Sequence, residues 1–242
     1  MKNHTTSIAT PDRQDDFSAA TARFEPVARS RTFNRILSTF GLRTEKVMDL
    51  GCGYGEYLAC FGAGSLGITS TPHEVEYGTS HGLHIVRGNV EKLGELGIHE
   101  RFGAIWANNL FEHLLAPHAF LIGLKAFAGP ETALILGVPV VPRIASLMRT
   151  GPFRGALAVA HVNFFTRETL QLTVERAGWK VEAVRPFIFS WRWLDLMASF
   201  FAPHLYVVAH DDADFSYHEK KLKEWKDEPQ YAALISQVSK NI

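Results

Sequence analysis

Short apolar runs separated by longer mixed stretches make up the chain between residues 46 and 138. Runs of this kind, bounded by glycine and polar residues, are typical of buried parallel strands. The stretches between them are long enough for helices, for example over 117–128. Alternation of strand and helix predicts a parallel sheet covered on both faces. We therefore predict five parallel strands over 46–50, 66–69, 83–87, 102–107 and 133–138.

The alternation breaks after residue 139. Residues 140–160 hold prolines and glycines between short apolar pieces, which predicts an inserted lid or a pair of short helices. A helix is predicted over 166–177, with Thr166 as its N-cap and Gly178 just past its end. Residues 179–184 alternate between apolar and polar, and residues 205–209 are apolar, so two more strands are predicted.

Three further segments lie outside the predicted strands. Residues 1–14 are polar without periodicity, which predicts a mobile tail before a domain over 15–210 that opens with one or two helices. Residues 211–242 are charged and predict a helical surface tail. Residues 186–203 are rich in aromatic side chains, which are expected to line a substrate site or, more commonly, to bury a core or homodimer surface: Phe187, Phe189, Trp191, Trp193, Phe200 and Phe201.

Composition narrows the functional classes. Of the 242 residues, 25 are Lys or Arg and 25 are Asp or Glu, so the basic excess expected of a nucleic-acid binder is missing. The two cysteines form no paired motif, which argues against a disulfide framework or a structural zinc site. No apolar run approaches the ~18 residues of a transmembrane helix, and the polar N-terminus does not resemble a signal peptide. A cytoplasmic protein without stable membrane insertion is expected.

A glycine-rich loop follows the first predicted strand directly and precedes a helical pattern. It reads Asp49-x-Gly51-x-Gly53-x-Gly55. Glycines at this position let the backbone turn sharply and let a ligand approach the carboxyl end of the strand. The spacing differs from the GxGxxG of dinucleotide enzymes, so a pyrophosphate site is disfavoured. By itself the loop is weak evidence, and a tight turn that binds no ligand is the less favoured alternative.

The ordered set of motifs resembles the class I S-adenosylmethionine-dependent methyltransferases of the small-molecule type. Residues 47–55 resemble the first motif of that family, and residues 102–114, which end in Glu112-His113-Leu114, resemble its fourth-strand motif. Residues 161–166 and Ala177-Gly178-Trp179 resemble the segment that leads into its sixth strand. The resemblance implies a Rossmann-like, doubly wound α/β domain whose seven-stranded sheet is mostly parallel, with the last strand antiparallel.

The resemblance also implies a site for S-adenosylmethionine. Asp49 would face the methionine ammonium group of the cofactor. The backbone of Gly51 and Gly53 would line the methionine portion, and Cys52 and Asn108 are further predicted cofactor-binding residues.

At the other end of the cofactor, Asn89 would hold the adenine amino group through its side-chain oxygen, with the Val90 amide at a ring nitrogen. The second strand ends in Thr69, where family members usually carry an acidic residue for the ribose hydroxyls. Residues 67–74 resemble a variant found in relatives of cyclopropane-fatty-acid synthases, in which a polar residue five places later contacts the ribose. We therefore predict that Glu74 supplies the missing carboxylate; an ordinary carboxylate in a first helical turn is the alternative.

Two histidines are candidates for the general base. His113 follows the fourth strand, and His161 precedes the helix that leads to the sixth strand, so both are expected near the transferred methyl group. A structural role is the commoner one for each. His210 ends the last strand at an edge that the sequence does not determine. A Glu-His pair also raises metal binding, but no third ligand has suitable spacing, so no metal is predicted.

The function predicted from the sequence is methyl transfer from S-adenosylmethionine to a small-molecule acceptor, with oxygen as the favoured acceptor atom. Two alternatives remain open at this point. One is a non-catalytic member that keeps the fold as a binding or scaffold module, and the other is a nicotinamide-dependent oxidoreductase. Carbon methylation of a lipid is a third reading, prompted by the second-strand variant.

Overall fold

The computed structural model describes residues 13–142 and 160–226. Seven strands form one sheet: β1 (Val47–Leu50), β2 (Leu66–Thr69), β3 (Ile85–Arg87), β4 (Phe102–Asn108), β5 (Ala128–Pro139), β6 (Trp179–Arg185) and β7 (His204–Asp211). Their order across the sheet is β3-β2-β1-β4-β5-β7-β6. Neighbours from β3 to β5 pair in parallel, whereas β7 is antiparallel to both β5 and β6. The predicted doubly wound fold with an antiparallel last strand is confirmed.

Eight helices accompany the sheet in the described part of the chain: α1 (Arg13–Thr21), α2 (Phe24–Arg29), α3 (Arg31–Thr39), α4 (Pro72–Ser80), α5 (Pro117–Leu124), α6 (Arg167–Arg176), α7 (Arg192–Ala198) and α8 (Glu219–Lys226). None of them is long and apolar enough to cross a membrane. Three helices, rather than one or two, precede β1. Residues 1–12 of the predicted tail, 143–159 of the predicted insertion and 227–242 lie outside the described residues.

Local signals in the sequence explain the bounds of several elements. Thr166 caps α6 through a reciprocal pair of hydrogen bonds with Thr169, and Gly178 follows the helix with φ of 80°. Strand β5 begins at Ala128, earlier than predicted, because Ala128 pairs with Phe102 across an irregular register. The residues added there include Gly129 and Pro130, which carry no apolar signal.

Both faces of the sheet are buried, and the alternation of side chains along each strand assigns them. Val47 and Trp106 point to the face that α3 covers, with Phe33 of that helix among them. Met48 and Ile105 point to the opposite face, where the apolar sides of α5 and α6 pack. Because β1, β4, β5 and β7 contribute side chains to both layers, the centre of the sheet is rigid enough to hold loops at its carboxyl edge.

The strand order of the sheet reverses between β1 and β4. From β1 the chain continues outward through β2 and β3, then returns to place β4 on the other side of β1. The carboxyl ends of β1 and β4 therefore diverge and leave a crevice between their loops. In open α/β sheets this switch point is where ligands bind.

Candidate cofactor and acceptor site

The glycine loop after β1 turns through conformations that favour glycine. Gly51 and Gly53 have φ of 68° and 57°, in the left-handed region. A Cβ on Gly51 would also lie 3.1 Å from the Leu110 side chain, which follows β4. The two loops at the switch point thus pack closely enough that a side chain at Gly51 would disturb both.

A cavity of about 520 Å³ opens between this loop, the end of β4 and the segment that joins α1 to α2. Five of the predicted cofactor residues line it, and four do not, because those four lie at the ends of β2 and β3. The cavity is lined by Ala22, Arg23, Pro26, Val27, Asp49, Gly51, Cys52, Gly53, Glu56, Tyr57, Trp106, Asn108 and Asn109.

The polar atoms on the cavity wall are poorly satisfied within the described part of the chain. One oxygen each of Asp49, Glu56 and Asn108, and the indole nitrogen of Trp106, are buried without a hydrogen-bond partner there. Buried polar groups are normally hydrogen-bonded, so orphaned ones indicate a ligand. Burial raises the pKa of Asp49 well above its usual range, and the negative charge of Glu56 raises it further. Two neighbouring carboxylates favour a cationic ligand group.

Glu56 was not predicted from the sequence. It lies one residue beyond the last glycine of the loop and is 6 % exposed. Its other oxygen is 3.0 Å from the Nε atom of Arg23, so the segment between α1 and α2 is tied to the loop. The one signal in the sequence is the presence of an acidic residue directly after the glycines. An ordinary surface carboxylate explains that residue equally well.

At the end of β2, the structure brings Thr69 and Glu74 together. The Thr69 hydroxyl donates to Glu74 Oε2 and also accepts from the Thr71 amide at 3.3 Å. Thr69 is buried and Glu74, in the first turn of α4, is half-buried. The carboxylate predicted to replace the missing acidic residue therefore lies at the carboxyl end of β2.

Asn89 and Val90 follow β3 at the same edge of the sheet. The Asn89 side chain is exposed, and its oxygen accepts from the Glu91 amide at 2.9 Å. A carbonyl oxygen has a second acceptor position, so this hydrogen bond leaves room for a ligand. Val90 begins a 3-10 segment that extends to Leu96.

Residues after β4 form the other wall of the crevice. The Asn108 side chain donates to the Tyr57 hydroxyl at 3.0 Å. Asn109 has φ of 53°, a conformation that is strained for a residue with a side chain and is found more often at functional sites. His204, the first residue of β7, lies 3.1 Å from the Asn109 side-chain oxygen. Burial lowers the pKa of His204 to about 4, so this histidine is neutral near pH 7.

The two predicted general bases lie side by side. Their rings meet edge to face with centroids 4.8 Å apart. Beneath them lies Glu112, which is 1 % exposed. Its Oε1 atom is 3.8 Å from Nε2 of His113 and 3.9 Å from Nε2 of His161. Burial raises the pKa of Glu112, while the two imidazoles act in the opposite direction.

His161 corrects the argument against a metal site. No metal is predicted from the sequence, because no third ligand has suitable spacing along the chain. The fold supplies that residue from a distant segment, since His161 joins Glu112 and His113 in three dimensions.

His210 lies at the opposite edge of the sheet. Strand β7 runs antiparallel, so its last residues meet the start of β5, and His210 Nδ1 is 3.1 Å from the Thr132 carbonyl oxygen. Its Nε2 atom is 3.4 Å from Glu182. His210, whose edge of the sheet the sequence does not determine, is therefore far from the crevice.

The aromatic segment 186–203 is largely exposed rather than buried. Only Phe187 among its six Phe and Trp residues is in the core, and Trp191 and Trp193 are 66 % and 63 % exposed. A second cavity of about 350 Å³ lies between α7 and the end of β5, lined by apolar side chains with Arg167 and Glu168 at its border. This cavity opens at the same edge of the sheet as the first.

Comparison with known proteins decides the family. A family model described as a methyltransferase domain matches residues 20–184, which include the glycine loop, the β4 segment and the Glu112 cluster. The chain belongs to this methyltransferase family. The enzyme is an S-adenosylmethionine-dependent methyltransferase, which agrees with the first of the functions that the sequence left open. The cationic methionine ammonium and sulfonium groups of this cofactor suit the orphaned carboxylates of the cavity.

Solved structures share the fold at low identity. A chain of the complex between the Haloferax volcanii Trm112 methyltransferase activator and a methyltransferase is 15 % identical, with a TM-score of 0.58, over 86 % of this chain and 100 % of the other. A TehB-like S-adenosylmethionine-dependent methyltransferase from Corynebacterium glutamicum is 16 % identical, with a TM-score of 0.55, over 82 % and 99 %. One from Aquifex aeolicus is 21 % identical, with a TM-score of 0.52, over 80 % and 97 %. No curated protein matches the sequence.

Proposed function

We propose that this methyltransferase acts on a hydroxyl oxygen of a small molecule, and that Glu112, His113 and His161 engage the acceptor. The proposal is carried by one observation, the convergence of these three polar side chains just beyond β4. Asn108 and Asn109, at the end of that strand, line the cofactor cavity. Glu112 and His113 therefore follow the cofactor groups along one loop, and His161 joins them from the segment before α6.

Within the cofactor site, each carboxylate has a separate task. Asp49 and Glu56 would hold the methionine ammonium group, because both are buried and each has one oxygen without a partner in the described residues. Glu74, held by Thr69, would take the ribose hydroxyls. S-adenosylmethionine supplies an activated methyl group on a sulfonium sulfur, so the protein has to orient the acceptor and assist loss of its proton.

A hydroxyl acceptor fits the chemistry of the cluster. Nδ1 of His113 is 3.0 Å from the Ala160 carbonyl oxygen, which can only accept, so Nδ1 carries the proton of the neutral ring. Nε2 then keeps a lone pair and can take a proton from the acceptor. The Glu112 carboxylate would stabilise the imidazolium that forms. An amine acceptor that is already neutral has less need of such a group.

The second cavity supports a small, partly apolar acceptor. Its volume of about 350 Å³ is within the range of small-molecule sites. Its wall is mainly apolar, and Arg167 and Glu168 offer polar contacts at its border.

The test is methyl transfer from labelled S-adenosylmethionine to matched hydroxyl, amine and carboxyl compounds. We expect label on the hydroxyl compounds. His113→Ala and His161→Ala are expected to lower the transfer rate about 10²–10⁴-fold, the usual contribution of acid–base groups, while S-adenosylhomocysteine still binds. His210→Ala, on the opposite edge, is the matched control and should transfer at the wild-type rate. Label on amines alone, or full activity in both histidine variants, would contradict the proposal.

A further inference from the structure

The Glu112 side chain lies in an unusual electrostatic position. It is 1 % exposed, and neither carboxylate oxygen has a hydrogen-bond partner in the described part of the chain. A buried carboxylate is normally paired or hydrogen-bonded, because loss of hydration is otherwise uncompensated. Within the described residues, the groups near Glu112 that can carry positive charge are the two imidazoles, which are charged only when protonated. The position therefore favours a positively charged ligand.

The distances around Glu112 leave a space between the donor atoms. At 3.8 and 3.9 Å, the contacts from Oε1 to the two Nε2 atoms are too long for hydrogen bonds. All three donor atoms nevertheless lie within 4.8 Å of one another. Around a four-coordinate Zn²⁺ with bonds of about 2.0–2.1 Å, donor atoms lie about 3.3 Å apart. To reach that geometry, the two Glu112 contacts would close by about half an ångström and the two histidine donor atoms would approach each other by up to about 1.5 Å, which side-chain rotation allows.

Backbone hydrogen bonds hold the His113 ring and the Glu112 turn in place without using His113 Nε2 or the Glu112 carboxylate. His113 donates from Nδ1 to the Ala160 carbonyl, which directs Nε2 toward Glu112. The Glu112 carbonyl accepts from the Val162 and Asn163 amides at 3.0 Å each, which ties the segment that carries His161 to the turn after β4. A ligating imidazole whose second nitrogen binds a carbonyl is the arrangement that fixes metal-binding histidines.

We propose that Glu112, His113 and His161 bind a divalent transition-metal cation of the zinc type. One carboxylate and two imidazoles form the ligand set of open catalytic zinc sites, which keep a position for water or substrate. Imidazole nitrogen favours this class over Mg²⁺ and Ca²⁺, which prefer oxygen ligands. Among residues 13–142 and 160–226, this is the one group of three such side chains that converges in this way.

Binding of the ion does not depend on the proposed function. A catalytic role for the ion does rest on that function and would deepen it. Imidazoles that bind a cation cannot accept a proton, so the cation would replace His113 in activating the acceptor. A bound divalent cation lowers the pKa of a hydroxyl group that it contacts, and solvent then takes the proton. The solvent-accessible side of the site, where His113 is 39 % exposed, offers the open position for the acceptor.

The experiment is a calorimetric titration of the chelator-treated full-length chain with ZnCl₂, in the absence of methyl donor and acceptor. We expect one saturable high-affinity ion per chain. Glu112→Gln and His161→Ala should each weaken binding more than about 100-fold, because loss of even an outer-shell partner costs about 10–100-fold in affinity. His210→Ala should bind zinc as the wild type does. Co²⁺ absorption bands should report the same site, and MgCl₂ should bind far more weakly.

Two results would overturn the proposal: no stoichiometric zinc binding, or equal binding by wild type, Glu112→Gln and His161→Ala. Thermal melting of each variant shows whether it is folded, and Glu112→Gln preserves the shape of the buried side chain. The titration separates this inference from the proposed function. If zinc binds but no hydroxyl compound is methylated, the function fails and the metal site stands. If hydroxyls are methylated after chelation, with no zinc bound, the metal site fails and the histidine base stands.

Discussion

Removal of the Glu74 carboxylate should weaken cofactor binding without harming the fold. The side chain is half-buried in the first turn of α4, and Thr69 at the end of β2 donates to one of its oxygens. That hydrogen bond occupies part of the carboxylate and leaves the remaining acceptor positions for ribose hydroxyls. Because the side chain is not in a core cluster, Glu74→Ala removes a ligand contact rather than packing.

The expected size follows from the number of charge-assisted hydrogen bonds. Each one to a carboxylate contributes about 1.5–3 kcal/mol, and partial exposure favours the low end. One lost bond then raises the dissociation constant about 10-fold, and two raise it about 100-fold. Glu74→Gln keeps a neutral acceptor, so its loss should be smaller, about 3–10-fold, since neutral hydrogen bonds are roughly half as strong. Thr69→Val, which releases the carboxylate but leaves it in place, should fall between the wild type and Glu74→Ala.

Calorimetric titration with S-adenosylhomocysteine measures these constants directly. Glu76→Ala is the matched control, because it removes an exposed acidic side chain from the same helix and corrects for the general loss of charge. Binding of S-adenosylhomocysteine by Glu74→Ala within about threefold of the Glu76→Ala control would refute the reasoning, since one lost charged bond predicts about tenfold.

Three further predictions concern stability. Asp49→Asn should raise the melting temperature of the cofactor-free protein at pH 7 and weaken cofactor binding. The raised pKa of Asp49 means that its ionisation disfavours the fold increasingly as pH rises above about 4, so the gain should shrink near pH 4; an equal gain at both values would contradict this. Thr166→Ala should cost about 1 kcal/mol in urea unfolding through loss of the α6 cap, with the half-buried mid-helix Thr173→Ala as control. Asp195→Ala should cost about 3–5 kcal/mol, because three backbone amides lose their acceptor; a loss below about 1 kcal/mol would show that water replaces it.

The fold was predictable because its signals are local. Each parallel strand is a short apolar run that ends at glycine or a polar residue, and Thr166 and Gly178 mark the ends of α6. The start of β5 was missed because Gly129 and Pro130 are strand residues only through their pairing partners in β4. Exposure of Trp191 and Trp193 was equally invisible, since aromatic content alone does not separate a core from a surface.

The candidate site was predictable only where it follows strand ends. Asp49 and Asn108, which line the first cavity, could be named because each lies at the carboxyl end of its own strand. His161 was named, but its partnership with Glu112 depends on the return of the chain after β5, and no spacing rule encodes that return. His204 was missed for the same reason, because the edge reached by β7 is set by its antiparallel pairing with β5.

Buried carboxylates in this protein divide into two kinds, and the division separates structure from function. Asp195 is fully buried and accepts from three backbone amides at 2.7–3.0 Å, so its charge is compensated within the fold. Asp49, Glu56 and Glu112 are buried as well, but each has at least one oxygen without a partner in the described residues. Asp49 lies in β1, and Glu56 and Glu112 follow β1 and β4, so all three are near the switch point of the sheet. A chain with no net charge thus gathers acidic groups with unpartnered oxygens at one edge, where Arg23 pairs with only one oxygen of Glu56. Ligands that carry positive charge should bind there and stabilise the fold.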